Sequence, residues 1–412
     1  MTGETGVHPH SPQGYHAHAL LARGAEVLEL LFPGLRDELS GHGAPVYDYG
    51  ERISFLLPDG FAPRHPAGVL IQSFTRDLLE RTLRRRVLSL PQVRSVTPVR
   101  CEALLPGPGG RVGGVRCRDL GDESETELEA DLVVDASGRA GGFEDRLRAF
   151  GVRAPAPLTV DVRITYTTVG IPRPEDPGFD IAYQMTMAPD RPTGGVILAV
   201  EHERWICSLV GYGEQGPPRD SAGYLGFAGS LSTPDLAGLL AKNLGEDGPV
   251  HRYTNVNSRW HQYHRARNWP ERLLAVGDSV CVFNPVYGQG LTVAALEADL
   301  LRRELAGRRR SAGGLDGLGR DYQGRVARLL RAPWALSSNS DLMWDGQDPS
   351  LATRIAHGYN RRLLAAAVHD PAVWTAFVRV VNMVASPATL FHPSVLARVL
   401  RRSGGRAQEP GR

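Results

Sequence analysis

The chain has 412 residues, and its 47 basic and 45 acidic residues nearly cancel to a formal net charge of +2. This balance argues against a protein that binds nucleic acid through bulk electrostatic attraction. Hydrophobic residues make up 42% of the sequence, which excludes wholesale disorder. The four cysteines form no CxxC pair, and no apolar run approaches the length of a membrane span. We therefore expect a cytoplasmic protein with free thiols.

The first part of the chain alternates between helical and strand patterns. Apolar residues at helical spacing predict a helix over 17–39 that is interrupted at Pro33, and short strands follow over 44–71. Thr75 is the expected N-cap of the helix TRDLLERTLRRRV. Strand patterns return over 93–134, with a hairpin at 106–114. The apolar run 132–134 predicts a buried strand whose carboxyl end reaches a ligand site.

The later part of the chain changes character at about residue 155. Alternating segments over 155–268 predict an antiparallel sheet with one buried face, accompanied by helices at 221–246. RLLAVGD is a predicted buried strand, and LTVAALEADLLRREL is a predicted amphipathic helix. The apolar face of that helix is expected to carry Val293, Leu296, Leu300 and Leu301. Residues 320–402 are predicted to be mostly helical, with breaks at prolines.

These patterns predict an α/β fold with a Rossmann-like domain that is split in sequence, an antiparallel β substrate domain and a helical C-terminal region. The expected ranges are 1–154 with a β insertion at 44–71, then 155–269, then 270–319 for the second part of the split domain, and 320–412.

The segment 273–301 carries the most chemical information. A predicted strand ends in Gly277-Asp278, and a loop containing Gly288 and Gly290 leads into the start of a helix. Such a helix start presents free N–H groups and a partial positive charge, and glycines let a flat ring or a phosphate approach the backbone. Asp278 is placed to accept hydrogen bonds from sugar-type hydroxyls.

This segment resembles the second flavin motif of the p-hydroxybenzoate hydroxylase-type FAD monooxygenases, especially the actinobacterial branch that includes polyether epoxidases. The resemblance implies that Asp278 holds the ribityl chain and that the following loop lines the isoalloxazine. The residues implied to line it are Pro285, Gly288, Gln289, Gly290 and Leu291.

Three other segments resemble the same family, and together the matches span about residues 12–400. In 12–24, the resemblance implies that Gln13, His16 and His18 lie near the flavin. In TRDLLE, Arg76 is implied to approach the cofactor. DLVVDASGRAG resembles the middle motif and implies a cofactor contact at Gly138, although Ser-Gly stands where the hydroxylases have Asp-Gly.

The family begins with a strand, a GxGxxG turn that binds the FAD pyrophosphate, a helix and a second strand that ends in Glu. No such unit precedes Gln13 in this sequence. Three interpretations are open. The start codon is misassigned and some forty residues are missing; or the chain is a natural truncation with redox-neutral chemistry; or it is a degenerate non-enzyme.

Other side chains have simpler interpretations. His8, His10, His16 and His18 have alternating spacing, but no cysteine or carboxylate cluster joins them, so we predict no metal site. His261 and His264 are expected at a surface or interface, with an acid–base role as the alternative. Tyr166 and Tyr183 are core residues or part of an apolar substrate wall.

The resemblance therefore implies an FAD-dependent monooxygenase that epoxidises or hydroxylates an apolar, polyketide-like secondary metabolite, as in antibiotic biosynthesis. NAD(P)H or a separate flavin reductase would supply electrons, and no nucleic-acid partner is expected. Two alternatives stay open. One is a redox-neutral cyclase that closes a ring by pericyclic chemistry, with FAD structural or absent. The other is a binding protein without chemistry. The helical tail is expected to pack or to close the pocket, with membrane contact as a lesser alternative.

Overall fold

The computed structural model describes residues 12–175, 178–232, 234–244, 251–309, 314–344 and 350–402. The helices are α1 Ala22–Leu31, α2 Leu35–Gly41, α3 Arg76–Leu88, α4 Phe143–Ala149, α5 Ser221–Gly229, α6 Pro234–Asn243, α7 Gly290–Arg308, α8 Leu318–Asp341, α9 Leu351–Ala367, α10 Pro371–Val381 and α11 Pro393–Arg402. The strands are β1 Ala19–Leu20, β2 Val46–Asp48, β3 Ile53–Leu57, β4 Gly60–Phe61, β5 Leu70–Ser73, β6 Val99–Pro106, β7 Val112–Asp119, β8 Glu125–Glu129, β9 Val133–Asp135, β10 Leu158–Pro172, β11 Ile181–Gln184, β12 Thr193–Val200, β13 Arg204–Gly211, β14 His251–Trp260, β15 Leu273–Ala275 and β16 Cys281–Val282.

Contacts divide the chain into two compact units. The first unit consists of Met1–Thr82, Asp161–Val256 and Ser338–Arg412, and the second of Leu83–Val160 and Asn257–Ser337. The mixed α/β architecture with antiparallel sheets agrees with the predicted fold class. The four predicted domain ranges stay a prediction.

The first unit is built on a large sheet. Its strands lie in the order β10–β13–β12–β11–β3–β4, and all these pairs are antiparallel except β3 with β11, which is parallel. Val, Ile and Thr dominate β10, and such branched side chains fit a pleated, packed surface. A smaller sheet, β1–β5–β2, lies in the same unit.

Both faces of β13 are buried, so the prediction of one buried face was wrong. On one face, Trp205 and Leu209 pack in a cluster with Tyr224 of α5 and Leu236 of α6. Alternate residues point to the opposite face. There the Oγ of Ser208 accepts the N–H of Ala17 at 3.3 Å. The segment that precedes β1 therefore covers the face that the sequence pattern left open to solvent.

The second unit contains a three-stranded antiparallel sheet, β6–β7–β8, and a parallel pair, β9 with β15. The predicted hairpin is confirmed by the pairing of Pro106 with Val112. The strand predicted over 132–134 forms as β9, but Val134 is 40% exposed. The expectation of full burial was wrong because β9 pairs with β15 alone within the described ranges, so one side of it lacks a neighbour.

Helix ends follow the capping signals in the sequence. The Oγ1 of Thr75 accepts the N–H of Leu78 at 3.2 Å, which confirms the predicted cap of α3. The helix predicted over 17–39 forms as α1 and α2 from Ala22 onward, with the break at the predicted proline. Its predicted start was wrong, because Ala19–Leu20 forms strand β1 and pairs with β5. Within the described residues, every helix is too short or too polar to cross a bilayer.

Replacing Trp205 with Ala should strongly destabilise the first unit. Its ring is fully buried and stacks on Phe179 with 5.5 Å between ring centroids. We expect a loss of about 3–5 kcal/mol in the free energy of unfolding, measured by urea denaturation and circular dichroism. Leu30→Ala, at a residue 58% exposed in the same unit, should cost less than about 0.5 kcal/mol. Equal losses in the two variants would contradict this assignment of the core.

Candidate functional site

The candidate site in the second unit starts at the carboxyl ends of two parallel strands. Ala275 of β15 lies opposite Asp135 of β9, so the two strands end at the same edge. Ser137 and Gly138 follow β9, and the 3₁₀ turn Gly277–Ser279 follows β15. Ligands in α/β proteins bind at this end of a parallel sheet.

A buried carboxylate ties these two turns together. Oδ1 of Asp135 accepts hydrogen bonds from the hydroxyls of Ser137 at 2.8 Å and Ser279 at 2.7 Å. Oδ2 accepts from Nη2 of Arg146 on α4, also at 2.7 Å. Asp135 and Arg146 are each more than nine-tenths buried, so this is an ion pair removed from water. The pairing satisfies a charge whose burial alone would be costly.

Ser279 links the two turns directly. Its hydroxyl accepts the N–H of Gly138 at 2.9 Å while it donates to Asp135. Gly138 has a φ of +76°, a conformation that glycine adopts without strain. A Cβ added at Gly138 would lie 4.0 Å from the Cβ of Asp278. Two of the predicted cofactor residues, Gly138 and Asp278, are therefore neighbours in the structure.

The loop that follows carries the remaining predicted residues to the start of α7. Pro285 begins a 3₁₀ turn, Pro285–Tyr287, which Asn284 caps by accepting the N–H of Val286 at 3.1 Å. Gly288 then turns the chain with a φ of +64°. Gln289 is the N-cap of α7, and its side chain makes no capping hydrogen bond. The first-turn N–H groups of such a helix have no intrahelical partner.

The surroundings of this helix start leave room and polar groups for a ligand. A Cβ added at Gly290 would meet nothing within 4 Å. Leu291, the next residue, is half-buried. Oε1 of Gln289 and Oγ1 of Thr292 are buried without a hydrogen-bond partner among the described residues. Buried polar atoms are nearly always satisfied, so these two atoms are candidates to hydrogen-bond a water or a polar group of a ligand.

The other predicted residues belong to the first unit. His16 is buried, its Nδ1 lies 2.7 Å from the Oγ1 of Thr168, and its ring meets Tyr166 edge-on. Burial lowers the pKa of His16 to about 3, helped by the charges of His18 and His251, so the ring is neutral at physiological pH. His18 is half-buried.

Arg76 is the first residue of α3, and its Nε donates to Glu80 at 2.6 Å, one helical turn onward. Gln13 lies in the 3₁₀ turn Pro12–Tyr15, and its side chain is outside the described residues. His8 and His10 also lie outside the described residues. Contacts of Gln13, His16, His18 and Arg76 with a cofactor stay a prediction.

Comparison with known proteins supports the resemblance. No protein-family model matches the sequence. Protein Rv3254 of Mycobacterium tuberculosis is 29% identical over 381 residues, which cover 89% of this chain and 79% of that protein. Among solved structures, a flavoprotein/dehydrogenase from Cytophaga hutchinsonii aligns with a TM-score of 0.65 at 14% identity, over 96% of this chain and 91% of its own.

Two further solved structures are similar. PqsL, a probable FAD-dependent monooxygenase from Pseudomonas aeruginosa, aligns with a TM-score of 0.61 at 16% identity, over 81% of this chain and 89% of its own. OxyS, an anhydrotetracycline hydroxylase from Streptomyces rimosus, aligns with a TM-score of 0.56 at 18% identity, over 89% of this chain and 67% of its own. This chain has the fold of the FAD-dependent monooxygenases.

A GxGxxG string does occur in this flavin-monooxygenase fold, at 211–216, but in another context. Gly211 ends β13, whose described pairings are antiparallel. The next helix, α5, begins only at Ser221, and Asp220 caps it by accepting the N–H of Gly223 at 2.7 Å. The dinucleotide motif needs a strand that leads straight into an open helix end, so this string is not that motif.

Sequence reasoning missed Glu297. This residue lies on the buried side of α7, and its Oε2 accepts the N–H of Gly277 at 2.5 Å. A signal was present, because Glu297 falls at helical spacing between Val293 and Leu300, both predicted on the apolar face. A carboxyl group on the apolar face of a helix is expected either to pair with another polar group or to have a function.

His261 also differs from expectation. It is 3% exposed and stacks on Tyr263 with 5.2 Å between ring centroids, so the predicted surface position was wrong. Its backbone N–H donates to Val280, which draws the residue inward. Burial lowers its pKa, opposed by Glu144, whose Oε1 lies 3.1 Å from Nδ1. Across the described ranges, no group of three or more His, Cys, Asp or Glu side chains could hold a metal ion.

Removing the cation from the buried ion pair should destabilise the second unit. Arg146→Leu would leave Asp135 charged without its ionic partner, and we expect a loss of about 3 kcal/mol in the free energy of unfolding. Arg148 is the matched control on α4, because it pairs with Asp145 where both side chains are more than three-quarters exposed. Arg148→Leu should cost less than about 1 kcal/mol by chemical denaturation. Similar losses in the free energy of unfolding for Arg146→Leu and Arg148→Leu would show that burial of the Asp135–Arg146 pair is unimportant.

Glu297 should make stability depend on pH. Burial raises the pKa of Glu297 from 4.5 to about 8, the charge of Asp278 adds to the rise, and the N–H of Gly277 opposes it. The folded state therefore binds a proton that the unfolded state releases, and stability falls as pH rises from about 4.5 to about 8. Compared with Glu297→Gln, the wild type should lose stability across this window in denaturation titrations. A constant difference between the two proteins would contradict the prediction.

Proposed function

We propose that this protein is a flavin-dependent monooxygenase that binds FAD and hydroxylates or epoxidises an apolar small molecule. The observation that carries the proposal is the joined pair of turns beside an uncapped helix. Hydrogen bonds from Gly138 to Ser279 and from Ser279 to Asp135 hold Gly138 beside Asp278. At the start of α7, there is space around Gly290, and Oε1 of Gln289 has no hydrogen-bond partner among the described residues. These are the residue types that fit a polyhydroxylated, planar cofactor.

Each group has a distinct task toward FAD. The carboxylate of Asp278 would accept hydrogen bonds from ribityl hydroxyls, and charge-assisted bonds of this kind are strong. The N–H groups at the start of α7 would face the electron-rich edge of the ring, where the helix end adds a partial positive charge. Gly290 would let the ring approach the backbone. Bound FAD would supply the redox chemistry and the activation of dioxygen.

The substrate class is supported by proteins that share the fold. They include OxyS, an anhydrotetracycline hydroxylase, and Bmp2, a flavin-dependent brominase. Anhydrotetracycline is an organic small molecule, which supports a polyketide-like or other secondary-metabolite substrate here. The middle motif carries Ser137 in place of the hydroxylases' Asp, and its hydroxyl is already bonded to Asp135. We therefore propose that reducing equivalents, from NAD(P)H or a separate reductase, reach the flavin without help from Ser137.

Titration of the protein with FAD tests this proposal. We expect a visible flavin spectrum and saturable binding at one FAD per chain. Asp278→Ala should weaken the affinity about 10- to 100-fold, because a charged acceptor is lost. Asp145→Ala is the control, since the Asp145 side chain is 79% exposed on α4 and pairs with Arg148.

The outcomes separate the candidate functions. Equal affinities of the Asp278→Ala and Asp145→Ala variants would contradict the assigned site. A folded protein that takes up no FAD would overturn the flavin function and would leave the redox-neutral ring closure considered from the sequence. Consumption of dioxygen in the presence of FAD and NAD(P)H then measures the redox activity itself.

A further inference from the structure

Glu297 is an unusual side chain for the buried face of a helix. It is completely buried, its Oε2 accepts the N–H of Gly277, and among the described residues its Oε1 has no hydrogen-bond partner. Within the part of the chain that the structure describes, no basic side chain pairs with it. An isolated buried carboxyl is costly, so hydrophobic packing alone does not account for this residue.

The single hydrogen bond acts on the turn that carries Asp278. Gly277 has a φ of +62° and begins the 3₁₀ turn, so its N–H cannot bond within that turn. The carboxyl of Glu297 supplies the acceptor. Two hydrogen bonds from α8 hold the backbone of α7 and of β15. The hydroxyl of Tyr322 donates to the carbonyl of Glu297 at 2.9 Å. The side-chain amide of Gln323 donates to the carbonyl of Ala275 at 3.0 Å. Glu297 thus connects a rigid helix pair to the predicted cofactor contact.

We propose that Glu297 is a positioning residue that holds the Gly277–Asp278 turn so that the Asp278 carboxylate meets the hydroxyls of the cofactor. This inference rests on the proposed function. A residue that only packs in the core would stabilise α7 without any specific effect on the turn. A positioning residue fixes the conformation of the turn and, through it, the affinity for FAD.

The groups around Glu297 favour its neutral form at pH 7. Asp278 on the turn, Cys281 on β16 and Tyr322 on α8 are the titratable groups that interact with it. Asp278 repels a second negative charge, and burial raises the pKa of Glu297, of Cys281 and of Tyr322. A neutral glutamine, which keeps an acceptor oxygen of the same reach, should therefore replace Glu297 with little change.

Amide hydrogen exchange and FAD titration of three variants test the proposal. Glu297→Leu removes the acceptor, and we expect faster exchange at Gly277 and Asp278 in the FAD-free protein and about tenfold weaker FAD binding. Glu297→Gln should retain both wild-type values. Asp299→Leu is the matched control, because Asp299 is also buried on α7 but pairs with Arg302 and Arg303 instead of the turn. It should leave the exchange of the turn unchanged.

Each result decides the question. Unchanged exchange of the turn in Glu297→Leu, or equal effects of Glu297→Leu and Asp299→Leu, would overturn the positioning role. If Glu297→Leu does not fold, Glu297→Asp carries the same prediction, since its carboxyl is one methylene too short to reach Gly277. If the wild-type protein binds no FAD, the proposed function fails, and exchange at Gly277 still reports whether Glu297 holds the turn.

Discussion

The candidate site depends on the need to satisfy one buried negative charge at the end of β9. Asp135 is removed from water, so it must be met by a cation and by hydroxyl donors. Arg146 provides the charge, and Ser137 and Ser279 provide the donors. Because Ser279 belongs to the turn after the neighbouring strand, satisfying the charge also fixes the distance between the two turns. The same interaction therefore stabilises the second unit and shapes its ligand-facing edge.

The candidate site also depends on the first turn of α7 and on Glu297 of the same helix. Its first turn is left without a side-chain cap, whereas α5 and α10 are capped by Asp220 and Asp370. A capped end has its donors satisfied, but an uncapped end keeps them for a ligand. Further along the same helix, Glu297 reaches back and accepts the N–H of Gly277, the residue before Asp278. In the proposed site, one helix would thus offer donors to the cofactor and support the acceptor beside them.

Local patterns in the sequence predicted the helices and strands well. Where predicted and observed burial differ, the cause is packing against segments distant in sequence. The cap at Thr75, the break at Pro33 and the hairpin at 106–114 depend on nearby residues, so they were readable. Burial of both faces of β13 depends on a segment almost 200 residues earlier, at Ala17, which no local pattern reveals. The motif residues Gly138 and Asp278 were predicted from resemblance, and the structure makes them neighbours. The network through Arg146 and the burial of Glu297 required the fold.

We propose that the turns after β9 and β15 and the first turn of α7 form a flavin site. Hydrogen–deuterium exchange of the protein with and without FAD tests it most directly. We expect FAD to slow exchange in the peptides that contain Gly138, Asp278 and the residues 288–292, and to leave exchange in the exposed strand β8 unchanged. Saturable FAD binding with protection elsewhere, and none at these three segments, would contradict it.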